Sequence, residues 1–210
     1  MRVGGFLPFS LSDYPGKVAA VVFAQGCNFR CPFCHNVELL PRARATAELV
    51  PLTWVAHHLQ RRRAQLDGVV VSGGEPTIQS SMPAFLGWLR SIGLAVKLDT
   101  NGSRPDVLEA VLDENLVDYV AMDVKAPLET YDRLAGRRVD VAAIQRSIEL
   151  IATSDVPHEF RTTVVPGLHR DGDLERCRAL LPAASSHRAQ AFRPSPTANE
   201  RLRRLAVQGC

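Results

Sequence analysis

The chain has 210 residues, 46% of them hydrophobic, with a formal net charge of +3 and five cysteines. The length suits one large domain or two small ones, and so mild a charge gives no argument for nucleic acid. An odd cysteine count in a chain long enough to build an ordinary core argues against a disulfide framework. No run approaches the apolar length of a membrane span. No stretch near Arg2 reads as a signal peptide, so the expected compartment is the reducing cytoplasm.

Short apolar runs alternate with longer helical patterns along the chain. Residues 18–23 predict a buried strand, 52–65 a helix, 69–71 a strand and 81–91 a helix. Residues 95–98 predict a strand, 105–114 a helix, 119–122 a strand and 141–153 a helix. Residues 160–165 predict a strand, 173–181 a helix and 189–192 a sixth strand. The strand segments are continuous apolar runs, as in a sheet covered on both faces. Strand–helix alternation implies parallel strands with right-handed crossovers. The expected fold class is therefore α/β, an incomplete (β/α)6 parallel barrel short of the closed eight-fold form. No linker or low-complexity segment interrupts it, so a single domain over 1–210 is expected. The basic clusters Arg61-Arg62-Arg63 and Arg201, Arg203, Arg204 read as solvated helix faces.

The loop after the first strand contains Gly26-Cys27-Asn28-Phe29-Arg30-Cys31-Pro32-Phe33-Cys34-His35-Asn36. This C-x3-C-x2-C triplet can hold one face of a cubane iron–sulfur cluster, leaving one iron without a protein ligand. An open coordination site is where a metal centre does chemistry. A structural zinc site using His35 as fourth ligand is an alternative, although no second cysteine knuckle is present to complete the usual pattern. Cys177 and Cys210 stand outside the spacing and read as a buried small hydrophobe and a terminal thiol.

The remaining polar motifs follow the predicted strands: Ser72-Gly73-Gly74-Glu75-Pro76, Asp99-Thr100-Asn101-Gly102, Asp123-Val124-Lys125, and Arg161 with Val165-Pro166-Gly167. Parallel α/β sheets place their sites at the carboxyl ends of strands. Gly73 and Gly74 let backbone approach a ligand, and Glu75 suits a ligand ammonium group. Asp99 and Asp123 suit a cation or ribose hydroxyls, while Lys125 and Arg161 suit a carboxylate. An ordinary ion-pair cluster is the plainer reading of these four. An open iron with receptors for an ammonium and a carboxylate describes a site for a chelating amino acid.

The cysteine triplet with Ser72-Gly73-Gly74-Glu75-Pro76 resembles the radical S-adenosylmethionine (SAM) enzymes. Ser10-Leu11-Ser12-Asp13-Tyr14-Pro15-Gly16-Lys17, Val21-Val22-Phe23 and Cys34-His35-Asn36 resemble the activating proteins of anaerobic ribonucleoside-triphosphate reductase. Asp99-Thr100-Asn101-Gly102, Asp123-Val124-Lys125 and Val164-Val165-Pro166-Gly167 are similar to pyruvate formate-lyase activating enzyme. The likeness runs from Gly5 to Pro194. It implies a radical SAM barrel holding a [4Fe-4S] cluster on Cys27, Cys31 and Cys34, which with Lys125 form the candidate catalytic set. It also implies reductive cleavage of SAM to a 5′-deoxyadenosyl radical, which takes a hydrogen from a glycine of a partner glycyl-radical enzyme. That partner is expected to be anaerobic ribonucleotide reductase or a relative. By the same resemblance Phe33 lies against adenine, and Ser72, Gly73, Gly74 and Glu75 meet the SAM amino group. Asp99, Thr100, Asp123, Lys125 and Arg161 complete the candidate cofactor contacts, with a monovalent cation near Asp99 and Asp123.

The chain departs from the pyruvate formate-lyase type where a late histidine is replaced by Phe192-Arg193-Pro194, which makes Arg193 a candidate SAM or partner contact. It also lacks a ferredoxin-like cysteine insertion, so an external donor such as flavodoxin or ferredoxin is expected to supply electrons. No nucleic-acid or membrane partner is expected. Two other readings stand beside this one: a radical SAM enzyme acting on a small molecule in the manner of a deazaguanine synthase, and a zinc-binding interaction module.

Overall fold

A computed structural model describes residues 1–40 and 49–193. Its sheet has seven strands in the spatial order β1 to β7. β1 (Val3–Ser10) pairs antiparallel with β2 (Ala19–Ala24). β3 (Gly68–Gly73), β4 (Ala95–Thr100), β5 (Tyr119–Asp123), β6 (His158–Val164) and β7 (His187–Ala191) follow as parallel neighbours. The crossovers contain α1 (Leu52–Arg62), α2 (Met82–Ser91), α3 (Pro105–Asp113), α4 (Tyr131–Ala135), α5 (Val141–Thr153) and α6 (Asp173–Ala179). Six parallel strands in sequential order make the incomplete parallel barrel that the alternation predicts.

The convex face supplies most of the core. Val22, Val71, Leu98, Val120, Met122 and Phe160 pack beneath Leu59, Leu86, Leu89, Leu108, Ile144 and Ile151 of the helices. All twelve are buried, and truncating a leucine such as Leu59 to Ala costs about 2–5 kcal/mol. Cys177 lies in the same core, as expected. The helices present apolar residues at helical spacing, and α5 begins at Asp140, whose carboxylate accepts from the Ala142 and Ala143 amides at 3.0 and 3.3 Å. The concave face carries a smaller cluster of Tyr14, Ala19, Val21 and Val70, with Phe23, Ala95 and Tyr119 packed against it.

Four features differ from the sequence expectation. β1 is a strand although Gly4, Gly5 and Pro8 break its apolar run, and its pairing is irregular on either side of Gly5–Leu7. α4 is a five-residue helix, too short to show a period. β4 is not a continuous apolar run: Lys97 is 2% exposed on the concave face, two residues before Asp99. Strands β3, β4 and β5 each run one or two residues beyond the expected ends, so Ser72, Asp99 and Asp123 belong to the strands themselves. Arg61, Arg62 and Arg63 are exposed, as expected. Pro194, Arg201, Arg203, Arg204 and Cys210 lie outside the described residues.

Candidate active site

The cysteine loop is held at both ends. Gly26 N–H donates to Leu39 C=O at 2.7 Å, and Arg30 N–H donates to Ala135 C=O at 2.8 Å. Arg137 Nη1 donates to Asn28 C=O at 2.7 Å. Gly136 closes α4 with φ of 69°, and a Cβ there would collide with the Arg30 carbonyl, so glycine sets the docking distance. Within the loop, Phe29 N–H donates to Cys27 Sγ at 3.3 Å and Cys34 N–H to Cys31 C=O at 3.1 Å. Burial pushes the Cys27 thiol up to about 12, with the Glu75 carboxylate adding to the rise. Burial also raises Cys31 and Cys34, while the Lys125 ammonium pulls all three back toward the thiolate. A bound metal completes that deprotonation.

His35 turns away from the triplet. Its ring stacks on Phe192 at 5.5 Å and its Nε2 lies 2.5 Å from Arg193 C=O. Among the described residues no three His, Cys, Asp or Glu side chains converge as one metal ion requires. A lone zinc needs such convergence, whereas a cubane takes each thiolate on a different iron.

The loop after β3 presses against the cysteine loop. Gly73 has φ of +117°, and a Cβ on Gly74 would strike the Gly26 carbonyl. Gly74 N–H donates to Ala24 C=O at 3.0 Å and Glu75 N–H to Gly26 C=O at 2.9 Å. Glu75 is 1% exposed. Its Oε1 accepts from Thr77 N–H, the Thr77 hydroxyl and the Thr100 hydroxyl at 3.1, 2.6 and 2.8 Å, and its Oε2 from Asn101 N–H at 2.7 Å. Burial raises its pKa against the pull of these four bonds. The carboxylate thus braces the exits of β3 and β4, with one acceptor direction left on Oε2.

A line of alternating charges crosses the concave face. Lys97 Nζ lies 2.5 Å from Asp99 Oδ1, and the Ser72 hydroxyl donates to Asp99 Oδ2 at 3.0 Å. Arg161 bridges Asp99 and Asp123 at 3.5 and 2.9 Å, and Lys125 Nζ lies 2.8 Å from Asp123. Lys97, Arg161 and Lys125 thus stand as three cations around Asp99 and Asp123. Burial alone would raise Asp123, but Arg161 and Lys125 outweigh it and hold the carboxyl well below its usual range. Near Asp99 and Asp123, where the resemblance implies a monovalent cation, the Arg161 guanidinium bridges the two carboxylates.

These residues line one cavity of about 410 Å3. Cys27, Cys31, Phe33, Cys34, Ser72, Gly73, Gly74, Glu75, Asp99, Thr100, Asp123, Lys125 and Arg161 all face it. Every residue singled out as catalytic or cofactor-binding is therefore brought together. Arg193 is not among them and lines an adjoining groove. The sequence reading singled out neither Asn101, Thr163 and Gln190, which line the cavity, nor Asn28, whose Oδ1 accepts from Asn101 Nδ2 at 2.9 Å. It also missed Lys97, whose i, i+2 spacing to Asp99 was the available signal.

Comparison with known families settles the class. The family model described as the radical SAM superfamily matches residues 21–178. The chain belongs to the radical SAM superfamily. A Methanocaldococcus jannaschii protein described as a candidate glycyl-radical enzyme activating enzyme is 32% identical over 98% of this chain and 85% of its own length. The pyruvate formate-lyase 1-activating enzyme of Escherichia coli is 30% identical over 82% of this chain and 71% of its own length. This radical SAM chain is thus an enzyme related to the glycyl-radical activating group. The solved Streptococcus suis SuiB bound to S-adenosylmethionine is similar in fold alone, with a TM-score of 0.61 at 14% identity, covering 90% of this chain and 46% of that one. The superfamily implies a [4Fe-4S] cluster and SAM. The three thiols, the cation line and the glycine-walled approach in one cavity fit both groups. No described helix is long and apolar enough to cross a membrane.

Proposed function

We propose that this radical SAM enzyme generates a glycyl radical on a partner enzyme, most directly anaerobic ribonucleoside-triphosphate reductase. Cys27, Cys31 and Cys34 would hold the cluster, which when bound supplies the electron that cleaves SAM to methionine and a 5′-deoxyadenosyl radical. The protein's part is to bind, orient and shield. Lys125 and Arg161 offer cations to the SAM carboxylate, each aimed by a carboxylate that fixes its side chain. Gly73 and Gly74 open the wall for the amino group, and the free acceptor direction of Glu75 Oε2 receives the ammonium. Phe33, buried in the cavity wall, would lie against adenine. Asp99 and Asp123 act through the cations they orient.

The observation that carries this reading is the shared cavity: thiols and cations converge at the carboxyl ends of parallel strands. Relatives with activating functions over most of the chain support the choice of partner class. An outside donor such as flavodoxin or ferredoxin would deliver the electron, in a reducing cytoplasm that keeps the thiols free. The test mixes reduced, cluster-loaded protein, SAM and the reductase without oxygen and records the electron paramagnetic resonance spectrum. A doublet that disappears when the target glycine becomes Ala supports the reading. SAM cleavage with turnover of a small molecule and no protein radical refutes it.

A further inference from the structure

β7 ends the sheet, and its outer edge meets no strand among the described residues. Phe160 N–H donates to Ser186 C=O at 2.9 Å, and Phe192 N–H donates to Val164 C=O at 3.0 Å. Alternate residues of a parallel strand bond to the same neighbour. Ser186, Arg188, Gln190 and Phe192 therefore serve β6, while the amides and carbonyls of His187, Ala189 and Ala191 point outward.

Sheet edges are ordinarily blunted by proline, bulges, charge or a covering segment. β1, at the opposite edge, has Pro8, two register shifts and Val50, whose N–H donates to Val3 C=O at 2.9 Å. β7 has no proline, no lysine and no register shift, and two of its three outward residues are alanines. Over β6 and the end of β7, on the concave face, lies a groove of about 420 Å3 lined by His35, Thr163, Arg188, Gln190, Ala191 and Arg193. His35, Thr163 and Gln190 also line the main cavity, so the groove adjoins the reaction site across a shared wall. His35 pins the strand's end to the cysteine loop through Phe192 and the Arg193 carbonyl. The Arg188 side chain is 60% exposed and lies 3.5 Å from Glu159.

We propose that the β7 edge is the docking rail for the partner: an extended segment of the glycyl-radical enzyme adds as a further strand beside His187–Ala191. This rests on the activating function proposed above. Backbone hydrogen bonds to the three outward residues align the segment. An acidic side chain on it meets Arg188 and Arg193, and the chain beyond Ala191 carries the glycine into the cavity through the shared wall. The wall that the groove shares with the cavity favours this occupant over a second copy of the chain.

Amide hydrogen exchange of the cluster-loaded protein with SAM, alone and with the reductase, tests the rail. The His187, Ala189 and Ala191 amides exchange freely in the isolated protein and slow on adding the partner. Ala189→Pro removes an outward N–H and no ladder bond. It weakens partner binding about tenfold, with SAM affinity and melting temperature unchanged. Arg188→Glu, which leaves the backbone intact, weakens binding by a similar factor and reverses its salt dependence. Partner binding that leaves the β7 amides or the affinity of both variants unaltered overturns the rail alone. So does protection already present without partner, or a change of oligomeric state in Ala189→Pro. Failure of the reductase to bind the unaltered protein overturns both the rail and the proposed partner.

Discussion

The concave face of the sheet is two surfaces side by side. Over β2 and β3 it is a small apolar core, with Ala19, Val21 and Val70 closed beneath Tyr14. Over β4 to β7 it carries Lys97, Asp99, Asp123, Glu159, Arg161 and Arg188 in ion pairs. The first half is stabilised in proportion to the apolar area it buries. The second takes charges out of water, and pairing only roughly offsets that cost, so well-packed hydrophobic residues would serve stability as well or better. Charges kept where they do not favour folding point to a ligand. Asp99, Asp123 and Arg161 of the charged half line the cavity, whereas Tyr14, Ala19, Val21 and Val70 do not.

Arg161→Ala sharpens this contrast most. It leaves two carboxylates without their shared cation and lowers stability by about 3–5 kcal/mol in urea denaturation, with loss of SAM affinity. Tyr14→Ala in the apolar half costs about 3 kcal/mol, yet iron content and SAM affinity stay near the unaltered protein's. A comparable fall in SAM affinity there would break the division. Glu75→Gln loses one acceptor in a set of four bonds and costs about 1.5–3 kcal/mol, with SAM affinity reduced about tenfold. Unchanged SAM affinity, measured by calorimetry, would leave Glu75 as a brace between β3 and β4 and no ammonium receptor.

Acid separates the halves more gently. The Asp123 carboxyl titrates lower in the folded protein than in the unfolded chain. Its stabilisation is complete above the unfolded value of about 4 and is lost as the pH falls below it. Urea midpoints between pH 5 and pH 3 should drop less steeply in Arg161→Ala, where the main source of the depression is gone. Arg61→Ala, on an exposed helix face away from both halves, should stay within about 0.5 kcal/mol.

The apolar half and the strand exits were legible because each rests on local pattern. Val69–Val71 followed by Ser72-Gly73-Gly74 marks a strand and its mouth without knowledge of neighbours. The charged half was legible only as residue types. That Arg161 stands between Asp99 and Asp123 depends on the β5–β6 register, which pairs Asp123 with Arg161. Glu75 was expected to face a ligand, yet Thr77, Thr100 and Asn101 reach it through two loops whose approach no spacing encodes. β1 was hidden because Gly4, Gly5 and Pro8 erase the usual strand signal, while its partner Val21–Phe23 supplies the ladder.

The anchoring of the cysteine loop bears on how the enzyme matures. A zinc finger has no fold until its metal arrives. Here Gly26 is tied to Leu39, Arg30 to Ala135 and Arg137 to Asn28, and none of these bonds uses a thiol. The loop is therefore anchored to its neighbours by backbone bonds and by Arg137. Assembly of the metal centre is then a delivery to a finished container, open to an iron–sulfur carrier after translation. Oxidative loss of the cluster is then expected to leave a folded shell that can be refilled, which protease resistance of the stripped protein equal to that of the loaded one would bear out.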